Sequence, residues 1–299
     1  MPQVISKVLQ RKMTNDNYHE SVMTGEVVEN LHIKNQAKYI DATLGTGGHT
    51  LAIAKSGGQV LGIEADPEML AIAKERLENE KLNCKLVNGN FIDIDKIAKD
   101  NGFEKVSGIV FDLGASNLHL KDLSRGFSFA NPEAELDMRL NQEEQGVTAS
   151  DLLNLLRRDQ LIEMFTVTLD LGPARWLSSK VLNFREEKKF EKVGDLLEVC
   201  KGLKTGKKTL NEATLPFLAL RIAVNSELDN FKNALPKAYE MLEDGGRLVV
   251  ITFHSKEEDI AKEFFGSKKE FIVPSFDEVS KNIRSRSAKM RVIQKNAKK

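Results

Sequence analysis

From residue 37 onward, short apolar runs alternate with longer segments in which apolar residues recur at helical spacing. This alternation predicts βαβ units and therefore a parallel sheet in an α/β protein. The predicted strands cover residues 37–43, 59–65, 84–87, 106–113 and 247–253, and the first predicted helices cover 50–56 and 67–79. Pro67 opens the second of these helices, where a proline in the first turn is favourable.

The alternation stops after the fourth predicted strand. Residues 120–145 are predicted to form a loop, and Thr148 is expected to cap a helix that continues through Phe165. The last strand is preceded by helical segments at 174–184 and 193–200, a basic linker at 201–208, and a helical stretch at 213–239 interrupted at Pro216 and Pro236. We predict a flexible N-terminal arm at 1–17, a sheet-forming core at 18–124 and 209–299, and an inserted helical domain at 125–208.

The composition is typical of a globular protein. Of 299 residues, 41% are hydrophobic and 29% are charged, and no apolar stretch approaches the ~20 residues that a membrane span needs. The first residues lack the continuous apolar segment of a secretory signal, although a mitochondrial transit peptide is an alternative interpretation of the arm. Cys84 and Cys200 cannot supply a disulfide framework or a zinc site. We therefore expect a cytoplasmic protein with reduced cysteines, no bound metal and no membrane association.

The charge is balanced overall but uneven along the chain. There are 44 basic and 44 acidic residues, and residues 279–299 contain eight basic residues and no acids. The absence of a global basic field gives no general argument for nucleic acid, whereas the basic C-terminal segment is either a nucleic-acid contact or a solvated tail.

A glycine-rich segment, Asp41 to His49 (DATLGTGGH), lies between the first predicted strand and the first helix. Glycines allow a sharp turn and close approach of the backbone to a ligand, and the following helix offers unpaired N–H groups. Glu64 ends the second strand, where a carboxylate can accept both hydroxyls of a ribose. Both a nicotinamide dinucleotide and S-adenosyl-L-methionine are compatible with this turn and this carboxylate. The dinucleotide fingerprint requires a third glycine where this chain has Thr50, so S-adenosyl-L-methionine is favoured.

Two further strand ends support this cofactor. Phe91 follows the third strand, where its ring either stacks on an adenine or packs in the core. Asp112 ends the fourth strand, beside the crevice where open α/β sheets bind ligands, and the alternative for it is a helix cap or a turn.

Several longer motifs are characteristic of one family. They run in order from about residue 19 to 293: HESVM from His19, the glycine-rich segment, FDLGAS (111–116), RGFSF (125–129), LDMR (136–139), LRIAVN (220–225) with Glu227-Leu228, FHS (253–255) and RSRSAKMR (284–291). With this set the chain resembles the MraW family of ribosomal RNA small subunit methyltransferases H. The resemblance implies a class I (Rossmann-like) methyltransferase with an inserted α-helical domain that helps to hold RNA. It also implies S-adenosyl-L-methionine-dependent methylation of a cytidine exocyclic amine (N4) near the decoding centre.

The resemblance places the cofactor contacts by position. They fall on Gly47, Gly48, His49, Glu64, Phe91, Asp112 and His119. The chain departs from the family pattern after FDLGAS, because Asn117 and His119 stand where the family has a second serine and a cofactor-contacting glutamine. It departs again after FHS, where residues 256–259 (KEED) replace Leu-Glu-Asp-Arg.

The chemistry of a cytidine amine defines the catalytic candidates. Its lone pair is delocalised into the ring, so an acceptor for its N–H protons would localise that pair, and the methylated amine must lose a proton. Asp112, Asn117, Asp137 and His254 are the candidates, and the sequence selects no single base among them; for His254 a structural cap is the alternative.

The RNA contacts are predicted on a separate set of residues. The candidates are Arg125, Phe127, Arg139, Arg284, Arg286 and Arg291. Arginines contact phosphates and aromatic rings support unstacked bases. For Arg139 an internal salt bridge with Asp137 is the alternative, and for Phe127 the alternative is packing beneath the insertion.

The expected partner is small-subunit ribosomal RNA in an assembled or partly assembled subunit, and the oligomeric state is open. Two other functions compete with this one. The first is an RNA-binding assembly factor that has lost activity, and the second is a methyltransferase acting on DNA or a small molecule.

Overall fold

The strands at the centre of the sheet consist mostly of buried residues, whereas the strands at its two edges are more exposed. In the computed structural model, which describes residues 21–80, 82, 84–114, 116–206, 210–266 and 270–296, six strands form one sheet in the order β3-β2-β1-β4-β5-β6. The strands are β1 (Lys38–Asp41), β2 (Gln59–Glu64), β3 (Cys84–Asn88), β4 (Val106–Asp112), β5 (Leu242–Thr252) and β6 (Lys289–Gln294). The first five pair in parallel, and β6 runs antiparallel to β5. The predicted α/β class is thus confirmed. The predicted arm at 1–17 lies outside the described residues.

Thirteen helices occur in the part of the chain that the structure describes. They are α1 (Thr24–Leu31), α2 (Gly48–Lys55), α3 (Pro67–Asn79), α4 (Ile94–Asn101), α5 (Asn117–Lys121), α6 (Ala149–Leu155), α7 (Arg158–Thr166), α8 (Leu171–Glu187), α9 (Val193–Cys200), α10 (Thr214–Val224), α11 (Glu227–Met241), α12 (Ser255–Phe265) and α13 (Phe276–Lys281). None of these is both long enough and apolar enough to cross a membrane.

Alternate residues of each strand pack against helices on opposite faces of the sheet, as the period of two requires. Tyr39 of β1 joins an apolar cluster with residues of α1 and α2, whereas its neighbour Ile40 joins a cluster with residues of α4, α11 and α12. Because both faces are covered, the ligand-accessible part of the sheet is the edge where the parallel strands end.

Two predicted helical stretches are divided differently in the structure. The stretch from Thr148 to Phe165 forms two helices, because Leu156 and Arg157 between them have extended backbones with ψ of 140° and 165°. The stretch at 213–239 is broken at 225–226 and not at its prolines. Pro216 lies in the first turn of α10, where a backbone N–H makes no intrahelical hydrogen bond, so none is lost. Pro236 lies inside α11, which continues past it.

A separate apolar cluster forms between the fourth and fifth strands of the chain. It extends from Phe127 through α6–α9 and includes residues of α10, up to Val224. The predicted boundary of the inserted domain at residue 208 falls before α10, which packs on the same cluster. The division of the chain into core and insertion stays a prediction.

Candidate cofactor pocket and adjacent cleft

The β1–α2 turn is fixed by glycine conformations and by one buried carboxylate. Gly45 and Gly47 have φ of +52° and +82°, which side chains with a Cβ rarely adopt. A Cβ on Gly48 would lie 2.1 Å from the Ser21 hydroxyl oxygen, so no larger residue fits there without movement. Asp41 Oδ2 accepts hydrogen bonds from the backbone N–H and the hydroxyl of Thr50, at 3.2 and 2.8 Å, which holds the start of α2 against β1.

Glu64 ends β2 and holds the same turn from its other side. Its Oε2 accepts from the backbone N–H of Gly45 at 2.7 Å, and its Oε1 accepts from that of Asp66 at 2.9 Å. Burial raises the pKa of Glu64, and the two amide hydrogen bonds counteract part of that effect. Each carboxylate oxygen keeps a second lone pair, so Glu64 can still accept hydroxyl groups from a ligand.

A pocket lies along the carboxyl ends of β1, β2 and β4. Its walls include Glu64, Phe91, Asp112 and His119, which brings together four of the residues predicted to contact the cofactor. The ring of Phe91 meets that of Phe111 edge-on, with 5.6 Å between the centroids, so it packs on the core while bordering the pocket. Gly47 and Gly48 lie in the turn beneath, and His49 borders a neighbouring cleft instead.

The buried His49 and the partly buried Asp112 form a pair where the pocket meets that cleft. His49 Nε2 lies 3.2 Å from Asp112 Oδ2, and both residues border the cleft. Burial alone would lower the pKa of His49, but the hydrogen bond and charge of Asp112, together with the charge of Asp41, raise it. Asp112 Oδ1 and His49 Nδ1 are buried and have no hydrogen-bond partner in the part of the chain that the structure describes. Such atoms are costly unless a ligand or water satisfies them.

The cleft continues from Asp112 toward the C-terminal part of the chain. It is bordered by Phe253 and His254 at the end of β5 and by Ile283 and Arg286 of a 3₁₀ turn (Ile283–Ser287). His254 caps α12, because its Nδ1 accepts from the backbone N–H of Glu257 at 3.4 Å. Its Nε2 lies 3.0 Å from Glu257 Oε1 but outside hydrogen-bonding geometry, and it is the third buried polar atom without such a partner.

His119 is held on both of its ring nitrogens. Nδ1 accepts from the backbone N–H of Ser116 at 3.1 Å, and Nε2 lies 2.8 Å from Asp66 Oδ2. Because Nδ1 accepts, the ring is the neutral tautomer that donates from Nε2 to Asp66. The ring of Phe127 stacks on it with 5.1 Å between centroids. Neither nitrogen is left for a polar contact with a cofactor, which corrects the contact expected of the family's glutamine.

Arg125 and Phe127 lie inside the fold. Arg125 is 7% exposed and donates to Asp66 at 2.7 Å and to Asp122 at 3.0 Å. Phe127 is 5% exposed and packs in the cluster of the insertion. An RNA contact by either is not supported, because neither side chain reaches the surface.

Asp137 and Arg139 form an internal salt bridge, the alternative considered for Arg139. The guanidinium Nε and Nη2 atoms donate to the two Asp137 oxygens, each at 2.7 Å, and Nη1 donates to the carbonyl oxygen of Gln145. Asp137 borders neither the pocket nor the cleft. Both oxygens of Asp137 accept from Arg139, which holds this loop, so the arrangement gives no support to a catalytic role for Asp137, and that role stays a prediction.

Arg291 is likewise internal, because it lies in β6 and is 3% exposed. Its Nη2 donates to Glu258 Oε1 at 2.7 Å. Arg286 is the predicted RNA-contacting arginine that the structure places at the cleft, with an exposed side chain. The side chains of Asn117 and Arg284 lie outside the described residues.

Three charged residues that line the pocket were not predicted to belong to it. Arg221 of α10 donates from Nε and Nη2 to the two oxygens of Glu227 at 2.8 and 2.9 Å, and both residues border the pocket together with Glu257. The Arg221 and Glu227 positions belong to the LRIAVN-x-EL motif, so the motif contained the relevant residues. Their position depends on how α10 packs with the helices of the insertion and how α11 packs on the sheet, which no local pattern encodes.

Comparison with known proteins gives a consistent relationship. A model of the MraW methylase family matches residues 16–272. A ribosomal RNA small subunit methyltransferase H from Dictyoglomus thermophilum is 40% identical over 93% of this chain and 96% of that protein. One from Methylacidiphilum infernorum is 36% identical over 92% and 93%. Among solved structures, an rRNA methylase from Streptococcus thermophilus has a TM-score of 0.44 and 12% identity, covering 91% of this chain and 93% of that one.

Proposed function

The chain belongs to the MraW methylase family, and from this we propose that it methylates the exocyclic amine (N4) of a cytidine in small-subunit ribosomal RNA, near the decoding centre. Its methyl donor is S-adenosyl-L-methionine. The proposal is carried by three buried polar atoms that have no hydrogen-bond partner among the described residues. They are Asp112 Oδ1, His49 Nδ1 and His254 Nε2, and they belong to residues around one cleft next to the strand-end pocket.

The residues of the pocket suit this donor. Glu64 has free lone pairs for ribose hydroxyls, and Phe91 offers a ring edge for an adenine. Asp112 Oδ1 has no hydrogen-bond donor among the described residues, and an ammonium or an amine of the ligand would supply one. The donor supplies an electrophilic methyl group on sulfur. The turn at Gly45 and Gly47 lets the backbone come close to it.

The residues of the cleft suit the acceptor. We assign Asp112 Oδ1 as the acceptor for an N–H of the target amine, which localises the nitrogen lone pair. His49 stabilises the other Asp112 oxygen, and the carboxylate takes the proton that the methylated amine loses. His254 Nε2, as an N–H, would donate to an acceptor atom on the cytosine ring.

RNA binding is proposed for the helical insertion, 125–208, and for the C-terminal segment with Arg284 and Arg286. We propose that the substrate is an assembled or partly assembled subunit, because the surface lacks a global basic field and the insertion provides a shape to recognise. This substrate places the protein in the cytoplasm.

The test is methyl transfer from labelled S-adenosyl-L-methionine to subunits that lack the modification, with the product identified by nucleoside mass spectrometry. Asp112→Asn should lower kcat by at least about 100-fold, because the proton acceptor is lost. Asp100→Asn, an exposed residue of α4 outside the pocket, the cleft and the insertion, is the matched control.

Calorimetry of the cofactor product separates the two roles of Asp112. Retained binding without transfer assigns it to the amine, and lost binding assigns it to the cofactor. If wild-type protein binds the donor normally and transfers nothing to subunits, naked RNA, DNA or small acceptors, the protein is an RNA-binding assembly factor instead.

A further inference from the structure

An exposed apolar surface lies near the cleft, outside the residues used so far. Phe271, Ile272, Val273, Phe276 and Ile283, here called the C-terminal patch, are all large hydrophobic residues with exposed side chains. Phe276 is 86% exposed and Ile283 is 64% exposed. Apolar residues grouped in this way on a surface mark interaction sites more often than isolated ones do.

The patch adjoins the rim of the cleft. Ile283 belongs to both, and Arg286 follows one turn later. Helix α13, which begins at Phe276, is attached to the opposite wall, because Glu278 Oε1 accepts from the backbone N–H of Met23 at 2.8 Å and the preceding Ser21 and Val22 border the cleft. The patch is therefore continuous with the rim of the cleft at Ile283.

The charges around the patch are mainly positive. Lys289 Nζ lies 4.8 Å from the centre of the Phe271 ring, and Lys281 and Arg286 have exposed side chains. Asp277 and Glu278 lie at the start of α13, but from residue 279 onward the sequence contains no acid. Aromatic rings interleaved with cations are the arrangement that binds single-stranded nucleic acid.

We propose that the C-terminal patch binds the RNA nucleotide next to the target cytidine, with its base stacked on Phe276 beside Ile283 and its phosphate near Arg286. This rests on the proposed function. A cytidine that enters the cleft must leave its stack, which exposes the face of a neighbouring base. Stacking on the patch restores part of the lost interaction, and because every base has such a face the contact tolerates different sequences.

The experiment uses short single-stranded RNAs in which 2-aminopurine stands 5′ or 3′ of the cytidine. Wild-type protein should change the fluorescence of one of the two probes, because stacking alters the emission of this base. Phe276→Ser should abolish that change and weaken binding by about 5- to 100-fold, whereas Phe276→Trp should restore both. Leu123→Ser, which alters another exposed hydrophobic residue (43%) outside both the patch and the insertion, should leave both at wild-type values.

Several results would overturn the proposal. If Phe276→Ser leaves the fluorescence and the RNA affinity unchanged, the patch does not contact RNA. Methylation of subunits by the wild-type protein would still support the proposed function in that case. A change in sedimentation without a change in RNA affinity would assign the patch to a second copy of the chain. Faster proteolysis within residues 1–20 of the variant, again with normal RNA affinity, would assign it to the N-terminal segment.

Discussion

At the scale of single residues, His119 shows how a departure from the family pattern is accommodated. Its two nitrogens connect Ser116 in the loop after β4 to Asp66, the N-cap of α3. Burial would raise the pKa of Asp66, but the hydrogen bond from His119 and the charge of Arg125 outweigh it and lower the pKa. His119 is therefore a positioning residue that connects the pocket wall with the start of the insertion.

This role predicts different effects for two substitutions of His119. In His119→Gln, the amide oxygen can accept from Ser116 and the amide nitrogen can donate to Asp66, so cofactor affinity and stability should stay near wild type. His119→Leu leaves the Ser116 N–H without its acceptor, which should lower the free energy of unfolding by about 1–3 kcal/mol. Urea denaturation and calorimetry check both variants. Equal losses in the two would show that the ring itself contacts the cofactor.

Glu64 leads to a prediction about affinity. Glu64→Ala should weaken binding of the cofactor product by about 10- to 150-fold, because a hydrogen bond to a charged group is worth about 1.5–3 kcal/mol. Glu68→Ala, an exposed carboxylate one turn into α3, is the control. Isothermal titration calorimetry gives both affinities. Wild-type affinity in a folded Glu64 variant would remove this residue from the site.

Strand-end residues were predictable from the sequence, whereas the pairing of charged side chains was not. Glu64 and Asp112 follow apolar strand runs, and the carboxyl ends of parallel strands meet at one edge. In the sequence, Arg125 and Arg291 cannot be distinguished from arginines that lie on the surface. Their acidic partners lie 59 and 33 residues away in sequence, so only the fold decides that they are internal.

At the scale of elements, the C-terminal segment differs most from its prediction. The sequence 289–294 was included in a basic tail, yet it forms the antiparallel edge strand β6. Met290 packs in the core cluster on one face, and Arg291 is neutralised by Glu258 of α12. A charge inside an otherwise apolar strand hid its strand character. In contrast, α3 and α9 match their predicted bounds, because a cap and a regular apolar period define them locally.

The Arg291–Glu258 pair leads to a prediction about pH. Burial raises the pKa of Glu258, but the hydrogen bond and charge of Arg291 outweigh it and lower the pKa. An acid with a lowered folded pKa stabilises the fold above its unfolded pKa of about 4.3, and this contribution is lost as pH falls through the folded pKa. Glu258→Gln should therefore cost about 3 kcal/mol at pH 7, and this cost should shrink as pH falls below about 4.3 and through the folded pKa.

Hydrogen exchange locates that effect. Peptides covering β6 should exchange faster in Glu258→Gln than in wild type at pH 7, while peptides covering β1 change less. Glu263→Gln on the same helix is the control. A stability difference that does not vary with pH would show that the pair contributes through packing and not through charge.

At the scale of the whole molecule, two groups of buried side chains are among the contacts that join the predicted core to the insertion. One is Asp66 with His119 and Arg125, and the other is Asn225, whose side chain donates to the Met138 carbonyl and accepts from the Leu140 N–H. The sequence predicted that a helical segment interrupts the sheet, because the strand pattern stops there. It did not predict that α10 packs with that segment, because α10 is uniformly apolar and its period indicates no preferred side.

The balance of charge over the molecule predicts how RNA binding depends on salt. Arg125, Arg139 and Arg291 are paired with carboxylates inside the protein, so they cannot release counterions from phosphates. We expect about three cations near the cleft, such as Lys281 and Arg286, to contact single-stranded RNA. A plot of the logarithm of the binding constant against the logarithm of the salt concentration should then have a slope of about −2. Fluorescence anisotropy over a salt series measures this slope.

Electrostatic attraction that is this weak, and that depends this little on salt concentration, cannot by itself select one cytidine in a long RNA. Discrimination must then come from the shape of the folded subunit, so methyl transfer to subunits should exceed transfer to the same RNA stripped of protein by at least about tenfold. Arg286→Gln should flatten the slope on naked RNA by about one contact, or ~0.7, while leaving the preference for subunits intact. A wild-type slope steeper than about −5, or equal rates on subunit and naked RNA, would show that charge and not shape directs the protein to its target.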